Sequence, residues 1–150
     1  MSANQVEANG LVSATMARRY GGAAIDGVLA VLAGAVCGLL YIMWFSVHQP
    51  EPAAPPLKGL ALRTLAGVAA FSFANQVLLT QLCRASLGKL MTGTRVVRIA
   101  DAGRPWPWQL LWRWLGGVLY GCTIVPLAYA LGGSEAPPAD FAGVRIVRRK

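Results

Sequence analysis

Two long apolar stretches dominate this 150-residue chain and limit what it can fold into. They extend from about residue 20 to 45 and from about residue 59 to 82. A helix needs about 20 apolar residues to cross the hydrocarbon core of a membrane, and both stretches meet that length. The composition agrees, since 55% of the residues are hydrophobic and only 13% are charged. The sequence therefore predicts an all-α membrane protein with two transmembrane helices.

One acidic residue lies inside the first apolar stretch. Asp26 follows Arg19 by seven residues, which is nearly two turns, so both side chains lie on one face of the predicted helix, about 10 Å apart along its axis. The chain has six acidic residues, and Asp26 is the one that falls within a hydrophobic segment. Ionisable residues in a membrane segment are costly and commonly functional. Arg19 and Asp26 are therefore candidate ligand- or ion-binding residues.

Polar residues in the inner half of the second apolar stretch are candidate partners of Asp26. In an antiparallel helix pair, residues at equal depth from one end meet, and Asp26 lies level with the segment from Asn75 to Gln81. Hydrogen bonds from these side chains would offset part of the cost of burying the carboxylate. Asn75 and Gln81 are therefore candidate lining residues, although the same side chains could serve only to hold two helices together.

A third apolar segment, residues 107 to 132, leaves two topologies open. It could cross the membrane once, or it could form a hairpin or re-entrant segment that returns to the same side. The flanking sequence favours the hairpin, because the β-prone runs at about 94–99 and 144–149 resemble each other and can pair only on one side. Basic residues accompany both runs, so the positive-inside bias places this pairing in the cytoplasm.

The distribution of basic residues also orients the chain. The loop between the first two apolar stretches holds few of them, whereas residues 84–104 and the last six residues hold many. We therefore expect a multi-pass protein of the cell membrane, such as a bacterial inner membrane, with both termini cytoplasmic. Residues 1–17 are predicted to form a flexible tail before one membrane domain, residues 18–150. Gly88 and Gly93 are predicted to interrupt helical structure.

Several function classes find no support in the sequence. The net charge of +8 comes from basic residues that flank apolar segments, and no soluble domain carries a nucleic-acid-binding motif. The three cysteines form no Cys-x-x-Cys pair and His48 is the only histidine, so we expect no metal site and no disulfide framework. Neither a catalytic triad nor a phosphate-binding loop is present. We expect no enzymatic activity and no bound cofactor.

In their order and spacing, the motifs of this chain resemble those of the RDD family, a group of small bacterial membrane proteins. The matching positions are Arg19 with Ile25-Asp26, Gly88-Lys89 with Arg95-Val96-Val97 and Gly103, Arg113 in the next helix, and Asp140 with Ala142-Gly143. The chain differs from the family pattern in a short stretch between Arg113 and Asp140. The resemblance implies that Arg113 and Asp140 belong to the same site as Arg19 and Asp26. It also implies transport of ions or small ligands, including proton/cation exchange.

Two hypotheses follow for the function. In the first, Asp26 binds and releases a proton in exchange for a cation. In the second, the chain is a non-catalytic membrane module, an assembly or accessory subunit for a partner protein, in which the buried charges only hold the structure together. Two or three membrane segments are few for a transporter. We therefore expect a homo-oligomer or a membrane partner protein within the lipid bilayer, with anionic lipid at the basic cytoplasmic face.

Overall fold

The computed structural model describes residues 14–48, 55–98, 100–101, 103–124 and 144–148. Two long helices come first. Helix α1 spans Met16–His48, and helix α2 spans Leu57–Cys83 with a π-helical segment at Ala74–Leu79.

Four shorter elements follow α2. Helix α3 is Leu87–Met91 and strand β1 is Thr94–Arg98. Helix α4 is Pro107–Leu119 and continues as a π-helical turn, Tyr120–Ile124. Strand β2 is Val144–Arg148. Gly88 lies inside α3, so the predicted interruption of helical structure at this glycine is wrong. Gly93, with a φ of +65°, does separate α3 from β1.

Helices α1 and α2 have the length, composition and exposure of membrane-spanning helices. Only 22% of the most apolar window of each helix is buried, whereas the core helix of a soluble protein is mostly buried. Large apolar side chains such as Leu39 and Leu65 are 60% and 66% exposed. The two predicted transmembrane helices are therefore confirmed, and each is slightly longer than the predicted apolar stretch.

Small residues allow α1 and α2 to pack closely. A Cβ atom added at Gly34 would lie 2.8 Å from the carbonyl oxygen of Thr64, and one added at Gly38 would lie 2.7 Å from the Thr64 hydroxyl. The backbone contact at Gly34 leaves no room for a side chain, and at Gly38 the Thr64 side chain would have to move. Without a hydrophobic drive between helices in lipid, such close backbone packing is a main source of helix association.

The two strands form an antiparallel sheet, in which Val96 lies opposite Ile146. This confirms the pairing predicted for the runs at about 94–99 and 144–149. The amide of Val96 also donates to the carbonyl oxygen of Arg84, and the amide of Ala14 donates to that of Ile146, at 2.7 and 3.2 Å. The sheet is thereby tied to the end of α2 and to the start of α1. Residues 1–13 of the predicted tail lie outside the described residues.

Helix α4 packs beside the C-terminal half of α2. The indole Nε1 of Trp114 donates to the hydroxyl of Ser72 at 3.1 Å, and its ring meets the ring of Phe73 edge to face. Leu110 of α4 shares an apolar core with Val96 and Val144, so β2 lies at the end of the molecule where α4 begins. Residues 125–143, which include the second half of the third apolar segment, are outside the described residues.

Candidate functional site

Asp26 points into the protein and away from the surface that faces lipid. The residues of α1 that are buried recur mostly every fourth position, and they are Gly22, Asp26, Ala30, Gly34, Gly38 and Tyr41. This spacing follows one face of a helix, and that face meets α2 and α3. Asp26 is only 3% exposed. Its neighbours on the buried stripe are small, so the carboxylate reaches the adjacent elements without obstruction.

Three groups from different elements donate hydrogen bonds to the Asp26 carboxylate. Oδ1 accepts from the Nδ2 of Asn75 at 2.7 Å and from the backbone amide of Gly88 at 2.8 Å. Oδ2 accepts from the hydroxyl of Ser86 at 2.5 Å. Hydrogen bonds to an ionised group are short and stronger than neutral ones, so these donors stabilise a buried charge that would otherwise be very costly.

Lys89 supplies the positive charge beside Asp26. Its Nζ lies 3.8 Å from Oδ2 of Asp26 and donates to the Ser86 hydroxyl oxygen at 2.9 Å. The side chain is 12% exposed. Burial, together with the charge of nearby Arg113, lowers the pKa of Lys89 from 10.5 to about 8, although Asp26 acts in the opposite direction. Lys89 therefore gains and loses its proton within the physiological range.

The π-helical segment of α2 positions Asn75. π-Helical turns are rare and frequently mark functional sites, because they change the face on which a side chain lies. Asn75 uses both ends of its amide, since Nδ2 binds Asp26 and Oδ1 accepts the backbone amide of Leu87 at 2.9 Å. This one side chain joins α1, α2 and α3.

The turn between α2 and α3, together with the start of α3, brings Ser86, Gly88 and Lys89 to the carboxylate. Arg84 adopts a left-handed conformation, with a φ of +57°, and so reverses the chain at the end of α2. Ser86 then precedes α3, with Gly88 and Lys89 in its first turn. A Cβ atom at Gly88 would collide with the carbonyl oxygen of Gly22 and lie 3.0 Å from Cγ of Asp26. Only glycine allows α3 to approach α1 this closely.

The other predicted site residues are not among the three hydrogen-bond donors to Asp26. Arg113 is close enough to Lys89 to lower its pKa. Arg19 is half-buried on α1, two turns before Asp26. The buried Oε1 of Gln81 accepts no hydrogen bond within the part of the chain that the structure describes. Asp140 falls outside that part.

Sequence reasoning did not include Ser86, Gly88 and Lys89 among the site residues. They lie about 60 positions after Asp26, so no helical spacing connects them to it. Two signals were available. Gly88-Lys89 is one of the motifs that resemble the RDD family, and a serine just before a short helix is typical of a helix N-terminus, where backbone amides need an acceptor. Within the described ranges, no group of three or more His, Cys, Asp or Glu side chains could hold a metal ion.

Comparison with known proteins identifies one family. The sequence profile of the family described as "RDD family" matches residues 13–136 of this chain. This range includes Asp26, Asn75, Lys89 and Arg113, and it ends before Asp140. Among curated proteins and solved structures, none matches the chain significantly.

Proposed function

Since the chain belongs to the RDD family and is an integral membrane protein, we propose that it exchanges protons for monovalent cations at the Asp26 site, in a transport role without enzymatic activity. The observation that carries this proposal is the ammonium group of Lys89, which lies 2.9 Å from the Ser86 hydroxyl oxygen and 3.8 Å from Oδ2 of Asp26, near the ends of two membrane helices. An amino-acid side chain thus occupies a position that an alkali cation of similar charge could take.

The surroundings of Lys89 fit such a replacement. Carboxylate and hydroxyl oxygens are among the ligands that hard cations prefer, and Asp26 and Ser86 supply both kinds, whereas Asn75 faces the carboxylate with its NH₂ group. If Lys89 lost its charge, Asp26 would remain as a buried anion without a cation, which is unfavourable. Binding of one monovalent cation as one proton leaves would keep the net charge of the site unchanged.

The pH dependence follows from the direction of the pKa shift. Burial and Arg113 lower the pKa of Lys89 to about 8, and Asp26 is the opposing charge that faces it from α1. Below that pH, Lys89 is charged and competes with the cation. As the pH rises through about 8, Lys89 becomes neutral and the cation can enter. Exchange should therefore be slow at pH 7 and faster at pH 9.

A flux assay in proteoliposomes with an enclosed pH dye tests the proposal. We expect proton movement that depends on an added Na⁺ or K⁺ gradient and increases across that pH range. Asp26→Asn should abolish it, because the cation loses its carboxylate. Lys89→Arg should also abolish it, since a guanidinium keeps its proton at every pH used.

Asp101→Asn is the matched control, because this carboxylate has a 53% exposed side chain and pairs with Arg98 outside the site. It should transport like the wild type. Absence of cation-dependent proton movement in the wild type, or equal movement in Asp26→Asn, would contradict the proposal.

The proposed function also requires a particular membrane orientation and association with further membrane segments. We infer a multi-pass protein of the cell membrane with both termini in the cytoplasm, which the basic residues around the sheet support. We also infer that the chain forms homo-oligomers or binds a membrane partner protein, because known transporters use more membrane segments than one such chain provides. The basic cytoplasmic surface would contact anionic lipid.

A second candidate function is a non-catalytic accessory module. The observation that favours it is the number of protein donors on Asp26, since three hydrogen bonds hold the carboxylate as a structural connection. On this reading, a stoichiometric partner would co-purify with the wild type. Loss of that partner in Asp26→Asn, without any cation-dependent flux in the wild type, would favour the module over the exchanger.

A further inference from the structure

An apolar groove lies between α1 and α2 at the end of the helices opposite the Asp26 site. It has a volume of about 490 Å³, and its lining includes Cys37, Leu40, Tyr41, Trp44, Arg63 and Ala66. Tyr41 follows Asp26 by 15 residues, so the groove lies about 22 Å from the carboxylate along α1. The groove opens to the side that would face lipid, because Leu40 and Trp44 are 59% and 52% exposed.

Arg63 lies at this groove as a fixed positive charge. Its guanidinium carbon is 4.1 Å from the centre of the Tyr41 ring, a cation–π distance. The ring itself is held in place, because Tyr41 is 7% exposed and its hydroxyl packs against Gly59. The described carboxylates, Asp26 and Asp101, belong to the opposite end of the molecule, and neither forms an ion pair with Arg63.

The groove also lies beside a cluster of aromatic rings. Tyr41 contacts Trp44 and Phe45, with ring centres 6.4 and 6.0 Å apart, and Trp44 stacks on His48 at 4.9 Å. Aromatic side chains concentrate where the hydrocarbon core meets the headgroups. With this aromatic cluster at that boundary, the Arg63 guanidinium would be level with lipid phosphate and the apolar wall level with acyl chains.

We propose that this groove binds one anionic phospholipid, with an acyl chain along the apolar wall between α1 and α2 and the headgroup phosphate on the Arg63 guanidinium. A guanidinium presents paired N–H donors that match two phosphate oxygens. Lys58, which is exposed near the start of α2, adds a second positive charge on the same side. Charge complementarity therefore selects a lipid with net negative charge over a zwitterionic one.

Native mass spectrometry of the purified protein tests this proposal. Protein released from detergent would be titrated with phosphatidylglycerol or phosphatidylcholine, and the lipid-bound fraction measured. We expect the wild type to retain phosphatidylglycerol preferentially. Arg63→Gln should reduce the retained phosphatidylglycerol by about fivefold or more, because it removes the charge-assisted contact. Ala66→Phe, which fills the groove without changing charge, should cause a similar loss.

Arg104→Gln is the matched control, since it removes the same charge from an exposed position on the other side of the protein. It should retain lipid like the wild type, and size exclusion and circular dichroism should show that all three variants fold. Equal retention of lipid by Arg63→Gln, or equal retention of phosphatidylcholine by the wild type, would overturn the proposal. Displacement of the lipid by an equal concentration of inorganic phosphate would overturn the acyl-chain contact.

Discussion

Asp26 connects three elements of the structure through one carboxylate. Its hydrogen-bond donors belong to α2, to the turn that follows it, and to α3, and the positive charge of Lys89 also comes from α3. Each hydrogen bond to a charged group contributes about 1.5–3 kcal/mol, and loss of the acceptor would leave buried donors unsatisfied. The same residue that we place in the exchange site therefore also stabilises the packing of the short helix against α1.

Gly88→Ala tests how closely α3 must approach α1. An added methyl group would collide with the Gly22 carbonyl oxygen and press on Asp26, and neither backbone can move away easily. We expect this change to lower the free energy of unfolding by about 2 kcal/mol or more, as overpacking does in tight cores. Thermal or denaturant unfolding in detergent, followed by circular dichroism, measures the effect.

Gly27→Ala is the control for this prediction. A Cβ atom at Gly27 meets nothing within 4 Å, so alanine there should be neutral or stabilise the helix by up to about 1 kcal/mol. If both variants unfold like the wild type, α3 does not pack against α1 closely enough to exclude a methyl group at Gly88.

Of the five residues that meet at the carboxylate, the sequence pointed to two, Asp26 and Asn75. Asp26 could be predicted because an acidic residue in an apolar run is rare and costly, and Asn75 because it lies at matching depth on the antiparallel helix. Lys89 could not be identified by periodicity. It reaches Asp26 through a left-handed turn at Arg84 and a glycine contact at Gly88, which are tertiary features that no local spacing encodes.

Among the helices, those features that depend on hydrophobic length were predicted, and the one that depends on tertiary packing was not. Hydrophobic length predicted α1 and α2 well, since the cost of exposing polar backbone to lipid enforces long uninterrupted helices. The π-helical segment, Ala74–Leu79, was not predicted. It contains neither proline nor glycine, so its extra residue per turn follows from contacts with neighbouring elements and not from local propensity. This segment is what directs Asn75 at Asp26.

Asn75→Leu tests whether the π-helical segment holds α3 in place. Leucine has the same branching and the same number of side-chain heavy atoms but cannot donate to Asp26 or accept from the amide of Leu87. We expect local opening of α3 to become easier by about 1.4 kcal/mol, which corresponds to about tenfold faster hydrogen exchange in Leu87–Met91. Exchange measured by mass spectrometry on peptides from this helix would show the change.

Leu78→Ala is the matched control, because Leu78 lies in the same segment and is 53% exposed. It should leave hydrogen exchange in α3 unchanged. Unchanged exchange in Asn75→Leu as well would mean that the Asn75 amide does not restrain the short helix.

The two-stranded sheet relates the ends of the whole molecule. β1 follows α3, β2 comes from the last residues of the chain, and the amide of Ala14, just before α1, adds a further hydrogen bond to β2. The pairing could be predicted because the two runs resemble each other, each with two arginines that enclose a pair of β-branched residues. It implies that the residues before α4 and the residues at the end of the chain lie on one side of the membrane.

Cysteine labelling in intact cells tests this arrangement of the whole chain. In a background without Cys37, Cys83 and Cys122, single cysteines would be placed at Lys58, Arg104 and Arg148. Lys58→Cys, at the start of α2, should react with an impermeant maleimide from outside. Arg104→Cys and Arg148→Cys should react only after permeabilisation, since both positions lie with the sheet and its flanking positive charges.

The pattern of labelling distinguishes a reversed orientation in the membrane from a wrong pairing of the two strands. Protection of Lys58→Cys, with labelling of the other two positions, would reverse the orientation of the chain but preserve the sheet, because Arg104 and Arg148 would still share one side. Labelling of Arg148→Cys from outside while Arg104→Cys is protected would contradict the pairing of β1 with β2 in the membrane. That outcome would require the third apolar segment to cross the bilayer once, which would separate Val144 from the core it shares with Val96 and Leu110.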